Sequence, residues 1–125
     1  MTSDWGAYCT CNDLAIDGNQ ITVSFTDERS HRVTVTEEPH QLHLEAIVVQ
    51  PATVRSLKAD LAALIWERNR TATLVGFRID ERDRLVCQAW MPKAGLTAEE
   101  FRAYVRTVAV ESDRLEYELT GKDIE

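Results

Sequence analysis

The stretch Ala72–Leu119, ATLVGFRIDERDRLVCQAWMPKAGLTAEEFRAYVRTVAVESDRLEYEL, decides the fold of this 125-residue chain. Leu74 to Ile79 and Leu85 to Trp90 are rich in β-branched and aromatic residues, and the polar Asp80-Glu81-Arg82-Asp83 between them suits a hairpin loop. Gly76, inside the first of these segments, marks a bulge, a close backbone approach or a packing glycine. Met91-Pro92-Lys93-Ala94-Gly95 closes the sheet segment. Thr97 precedes Glu100 by three positions, the reciprocal arrangement in which each side chain satisfies a free backbone amide, so a helix starts at Thr97. Phe101, Tyr104, Val105 and Val108 then share one helical face that Leu115 and Leu119 continue, and Gly121 marks the stop.

Upstream, Ile21, Val23 and Phe25 alternate with Thr22 and Ser24, and Val33 and Val35 alternate with Arg32 and Thr34. Asp27-Glu28-Arg29-Ser30 lies between them as a turn, so two neighbouring antiparallel strands are expected. After Glu37-Glu38-Pro39, Leu42 and Leu44 begin a third strand that becomes wholly apolar at Ala46-Ile47-Val48-Val49. Asp17-Gly18 is a turn signal, and Leu14-Ala15-Ile16 before it is either a short strand or a tethering contact. Pro51 ends the third strand and opens a helix in which Val54, Leu57, Leu61, Leu64 and Ile65 recur every three or four residues up to Arg68. Trp66 lies beside that stripe, where a tryptophan borders the core; partner contact is the other reading.

Length matches one small domain, residues 1–125, with 1–13 open to disorder. Apolar residues at 44% and charged residues at 28% describe a chain that folds. Acids outnumber Lys and Arg by 21 to 14, a net charge of −7, which disfavours nucleic-acid backbones and anionic membranes because no excess cation releases their counterions. The start carries Asp4 and no basic flank, and no run approaches the roughly 18 apolar residues of a membrane span, so a cytoplasmic protein is expected.

The sequence carries few motifs for chemistry. There is no phosphate loop, no two-histidine protease pattern and no nucleophile elbow. Cys9 and Cys11 offer two thiols and His31, His40 and His43 three imidazoles, but their spacing lacks the paired ligands of a closed zinc site, so no metal and no cofactor is expected. Asp80, Glu81 and Asp83 read as a solvated turn, and no acid has a context that predicts burial. No catalytic residue is expected.

Strands and helices in the order β-β-β-α-β-β-α give an α+β fold, an antiparallel sheet of about five strands with helices on one face. Trp66 and Asn69, Gly76-Phe77-Arg78-Ile79-Asp80, Leu85-Val86-Cys87, Met91-Pro92 and Leu96-Thr97-Ala98-Glu99-Glu100-Phe101 carry a specific likeness. From Leu61 onward the chain resembles the YbjN-like family, related in fold to the class I chaperones of type III secretion. The resemblance implies a non-enzymatic, dimeric, protein-binding domain. By it, the helix Val54 to Arg68, with Leu57, Leu61 and Trp66, is the homodimer element, and Val23, Val33, Leu42 and Leu44 hold an extended segment of a client. Such proteins generally begin with a helix, whereas Met1 to Asp13 contains Gly6 and shows no helical period.

The residues independently favour a homodimer, because a sheet covered on one face leaves the other open, and Ala59, Ala62 and Ala63 permit close helix approach. The leading reading is a chaperone-like or regulatory module acting on a protein partner. One alternative is a small-ligand-binding protein or enzyme with a dispersed site. The other is a single-strand nucleic-acid regulator using Trp5, Tyr8, Phe77 and Trp90, which needs a basic strip from Arg55, Lys58, Arg68, Arg70, Arg102 and Arg106.

Overall fold

Alternation puts Ile21, Val23, Val33, Val35, Leu42, Leu44, Ala46 and Val48 on one face of three consecutive strands, and all are buried in the computed structural model, which describes residues 4–57 and 61–120. The strands are β1 (Leu14–Asp17), β2 (Gln20–Ser24), β3 (Ser30–Glu37), β4 (Gln41–Val49), β5 (Gly76–Ile79) and β6 (Leu85–Pro92). They form one antiparallel sheet in the order β1-β2-β3-β4-β6-β5. The sheet has six strands rather than about five because Leu14–Asp17 pairs with β2 through the Gly18-Asn19 loop. Gly18 has φ +65° at the first central position, a conformation that favours glycine and twists the hairpin correctly.

Two further hairpin loops share a design. Phe25 N–H bonds Arg29 O with Glu28 at φ 68°, and Asp80 N–H bonds Arg84 O with Asp83 at φ 62°. Each left-handed residue is held by the turn: Glu28 N–H also bonds Phe25 O and Asp83 N–H bonds Asp80 O.

Helix α3 (Ala98–Thr120) crosses the apolar face, touching β2, β3, β4 and β6. Its start follows the sequence: Thr97 N–H donates to Glu100 Oε1 and Glu100 N–H to Thr97 Oγ1, both at 3.1 Å. Phe101, Val105, Val108, Ala109 and Leu115 are wholly buried beneath it. The expected stop at Gly121 lies outside the described residues. Before β1, Asp4–Cys9 forms a 3-10 helix in which Trp5 and Tyr8 tilt against Phe101 at 6.0 and 5.4 Å between ring centres. Its packing position is set from α3, where Arg102 donates to Tyr8 O and Arg106 makes a two-pronged pair with Asp13 at 2.9 and 3.0 Å. Periodicity could not announce this element, since 3-10 turns are short and follow no heptad-like stripe.

The helix expected to run unbroken from Val54 to Arg68 is two helices, α1 (Pro51–Ser56) and α2 (Leu61–Thr71). Thr53, Val54 and Ser56 are modest helix formers, and the Ser56 hydroxyl donates to Thr53 O. Leu57 then turns extended at φ −74°, ψ 128°, its N–H bonded to Thr53 O and Val54 O. The strand expected from Leu74 begins instead at Gly76, because Leu74 sits at φ 72°. The sheet's irregularity is not at Gly76 but in β4, where Val48 and Val49 pass while β6 advances from Val86 to Leu85.

Candidate functional site

Helix α2 lies along the β5 edge of the sheet. Asn69 fixes it there by donating to Phe77 O and accepting from Phe77 N–H, and Arg68 pairs with Glu118 near the end of α3. Leu61, Leu64 and Ile65 pack partly against the core, yet no residue of α2 is buried. Trp66 is 62% exposed, with the Arg70 guanidinium 4.9 Å over its ring and Arg70 also paired to Glu67. Trp66 thus does not border the core. Leu74 before β5 and Ile79 at its end are also exposed, Leu74 at 50%.

The sheet residues expected to hold a client are placed otherwise. Val23, Val33, Leu42 and Leu44 are at most 2% exposed and belong to the core. Alternation correctly groups them on one face, but α3 of the same chain covers that face. Leu57 and Leu61 are half-buried, and Trp66 is open. The opposite face of the sheet carries a polar ladder: the His43 ring stacks on Trp90 at 4.0 Å, His43 Nε2 bonds Gln88 Oε1, and Gln88 accepts from Arg78 Nε while Arg78 pairs with Glu45.

A cavity of about 450 Å³ runs between the β2–β3 loop and α3, with Phe25, Val110 and Tyr117 apolar and Arg29, Asp113 and Arg114 charged. A second, about 390 Å³, is framed by Leu74, Met91, Leu96 and Tyr104. Neither holds a nucleophile beside a base. Burial pushes the Cys9 thiol up to about 11 and the Cys87 thiol to about 12, so both stay protonated at neutral pH.

Asp80, expected in a solvated turn, is instead 5% exposed. Its carboxylate accepts from the Arg82 and Arg84 amides and from Arg84 Nε. Burial alone would raise its proton affinity, but these bonds outweigh it and hold the group below its ordinary value. The arginine four positions on was the signal in the sequence. Three other residues have no such signal: His31 of β3 comes within reach of Asp113 and Glu116 of α3, more than 80 positions later.

Four of the arginines expected in a basic strip are engaged within the chain, while Arg55 is exposed. Arg68, Arg70, Arg102 and Arg106 are engaged with Glu118, Glu67, Tyr8 O and Asp13. Lys58 lies outside the described residues. Of the aromatic residues proposed for stacking, Phe77 is buried, Trp5 and Tyr8 pack on Phe101, and Trp90 is exposed against His43. No helix among the described residues is long and apolar enough to cross a membrane.

With its antiparallel sheet backed by a long C-terminal helix and a shorter helix at its edge, the chain is similar in fold to the type III secretion chaperones. The chain is similar to a chain of the ExsC–ExsE complex, at 20% identity and TM-score 0.60 over 93% of this chain and 88% of that one. It is also similar to a chain of the ExoU–SpcU complex from the type III secretion system of Pseudomonas aeruginosa, at 12% identity and TM-score 0.64, covering 93% and 95%. The Yersinia pestis chaperone SycH, solved with a fragment of YscM2, gives 7% identity and TM-score 0.56, covering 90% and 93%. No curated protein sequence matches the chain. Residues 9–120 match the family model "YbjN: Putative bacterial sensory transduction regulator", and the chain belongs to the YbjN family.

Proposed function

We propose that this protein is a non-catalytic, chaperone-like or regulatory module that acts as a cytoplasmic homodimer on a partner protein. The observation that carries the reading is α2: a helix at the sheet edge with no buried residue and with Trp66 presented to solvent. A tryptophan costs little conformational entropy to immobilise and is enriched at interface centres, so an exposed one on an otherwise underpacked helix suits a second copy of the same chain. Leu57 and Leu61 extend that contact, and Ala62 and Ala63, both exposed, let two helices approach closely. The similarity in fold to proteins solved in complexes with protein partners supports the partner class. With the inner face of the sheet committed to the core, the client surface passes to the groove of Phe25, Val110 and Tyr117, whose apolar floor and charged rim suit an extended peptide.

Light-scattering-coupled size exclusion at several concentrations tests this. A mass of twice 14.2 kDa that persists on dilution supports it. A monomer at every concentration removes the dimer and, with it, the role assigned to α2.

A further inference from the structure

We infer that His31, Asp113 and Glu116 form a binding site for one divalent first-row transition-metal ion of zinc-like preference. A ring nitrogen of His31 and one carboxylate oxygen from each acid lie within 4.8 Å of one another, and all three residues are half-buried. Donors around a tetrahedral ion with bonds of about 2.0–2.2 Å stand roughly 3.3–3.6 Å apart, so modest side-chain adjustment closes the set. One imidazole with two carboxylates leaves a position for water and suits a borderline ion better than magnesium, which prefers oxygen alone.

The fold assembles these donors from two directions. Asp113 and Glu116, three positions apart on α3, share a helical face. His31 is the second residue of β3, beyond the end of the ladder to β4, whose last pair is Thr34 with Glu45. There the ring reaches across to β4, with Nε2 2.8 Å from Ile47 O. A carbonyl only accepts, so Nε2 donates this bond and Nδ1 is the nitrogen left to serve as the ligand. A ring nitrogen bonded to a backbone carbonyl is the outer partner that ligating histidines use to fix their tautomer.

Charge supports the same reading. Asp113 and Glu116 are half-buried carboxylates on one helical face, and Arg29 pairs with Asp113. Two half-buried carboxylates facing each other are a repulsive pair that a dication relieves. Arg29 contacts Asp113 Oδ1 and orients it. Asp113 lines the 450 Å³ groove and Glu116 a separate 280 Å³ cavity with Ile47 and Gln50. A bound ion would tie the sheet to the C-terminal half of α3.

The test is a calorimetric titration of the chelator-treated full chain with Zn²⁺, in a Cys9→Ser/Cys11→Ser background so that those thiols do not contribute. The expected result is saturable one-to-one binding with a raised melting temperature. His31→Ala and, separately, the near-isosteric Glu116→Gln should each weaken it by more than the roughly tenfold cost of losing an outer-shell partner. His40→Ala should leave it unchanged. Cooperative metal-free melting of each variant shows that the loss is not unfolding. Absence of saturable binding up to millimolar Zn²⁺, or binding that survives both His31→Ala and Glu116→Gln, overturns the site and leaves His31, Asp113, Glu116 and Arg29 as an ion-pair network.

Discussion

The Asn69 side chain closes both backbone hydrogen-bonding groups of Phe77, accepting from its N–H at 2.7 Å and donating to its carbonyl at 3.0 Å. An amide side chain thereby stands in for a neighbouring strand. Strand β5 is an outer strand of the sheet, and Asn69 occupies the donor and acceptor with which another chain would pair at that position. The same two bonds set the position of α2, so the helix that presents Trp66 is aligned by the sheet it protects.

Replacing Asn69 with Ala should cost about 1–3 kcal/mol, since two hydrogen bonds are lost and Phe77 is left unpaired. Urea denaturation measures this. Asn69→Asp should be no better, because a carboxylate keeps the acceptor but places its second oxygen against Phe77 O.

Trp66 contributes little inside one chain and much between two, in the proposed function. Trp66→Glu should therefore change the stability of the isolated fold by no more than about 0.5 kcal/mol, while the light-scattering mass falls from dimer to monomer. A dimer that survives the substitution places the interface elsewhere.

Phe101 joins the 3-10 helix to α3, being fully buried against Trp5 and Tyr8. Phe101→Ala should destabilise by about 3–5 kcal/mol through the cavity it leaves. Trp5 would lose its ring partner, and its fluorescence should shift to the red at temperatures where the rest of the chain remains folded.

Acid should weaken this protein through Asp80 and Asp13. Asp13 is held below its ordinary value of 3.8 chiefly by the hydrogen bonds from Arg106, and Asp80 lies below the same value despite its burial because of Arg84 and Arg82. A depressed folded value gives stability that is complete above the unfolded value and is lost as pH falls through the folded one. Glu116 has the opposite sign, since burial raises its value from 4.5 and its contribution is lost as pH rises through the folded value. Denaturation midpoints should thus fall below about pH 4, and Asp80→Asn should flatten that fall while lowering stability at pH 7.

Local chemistry made part of this fold legible in advance. The cap at Thr97 and Glu100 is a relation between residues three apart, and the alternation of Ile21 to Phe25 is set by the period of an extended chain. Both survive any tertiary context. The break at Leu57 was less legible because the stripe of Val54, Leu57, Leu61 and Leu64 keeps its spacing across it, and periodicity does not register a change in backbone direction. Leu74 defeated the strand pattern in the same way, through a backbone conformation that its side chain does not advertise.

The sequence by itself determined the α+β class, the antiparallel hairpins, the start of α3 and the likeness to the YbjN family, because each rests on periods or on bonds between near neighbours. Only the tertiary structure decided which surface remained free. Alternation states that Val23, Val33, Leu42 and Leu44 share a face, but whether that face meets a client or the chain's own helix depends on where α3 lands. The same holds for Asp13 with Arg106, Asn69 with Phe77, and His31 with Asp113 and Glu116. Their meetings follow from the strand order and from the path of one long helix across it, and no local pattern encodes either.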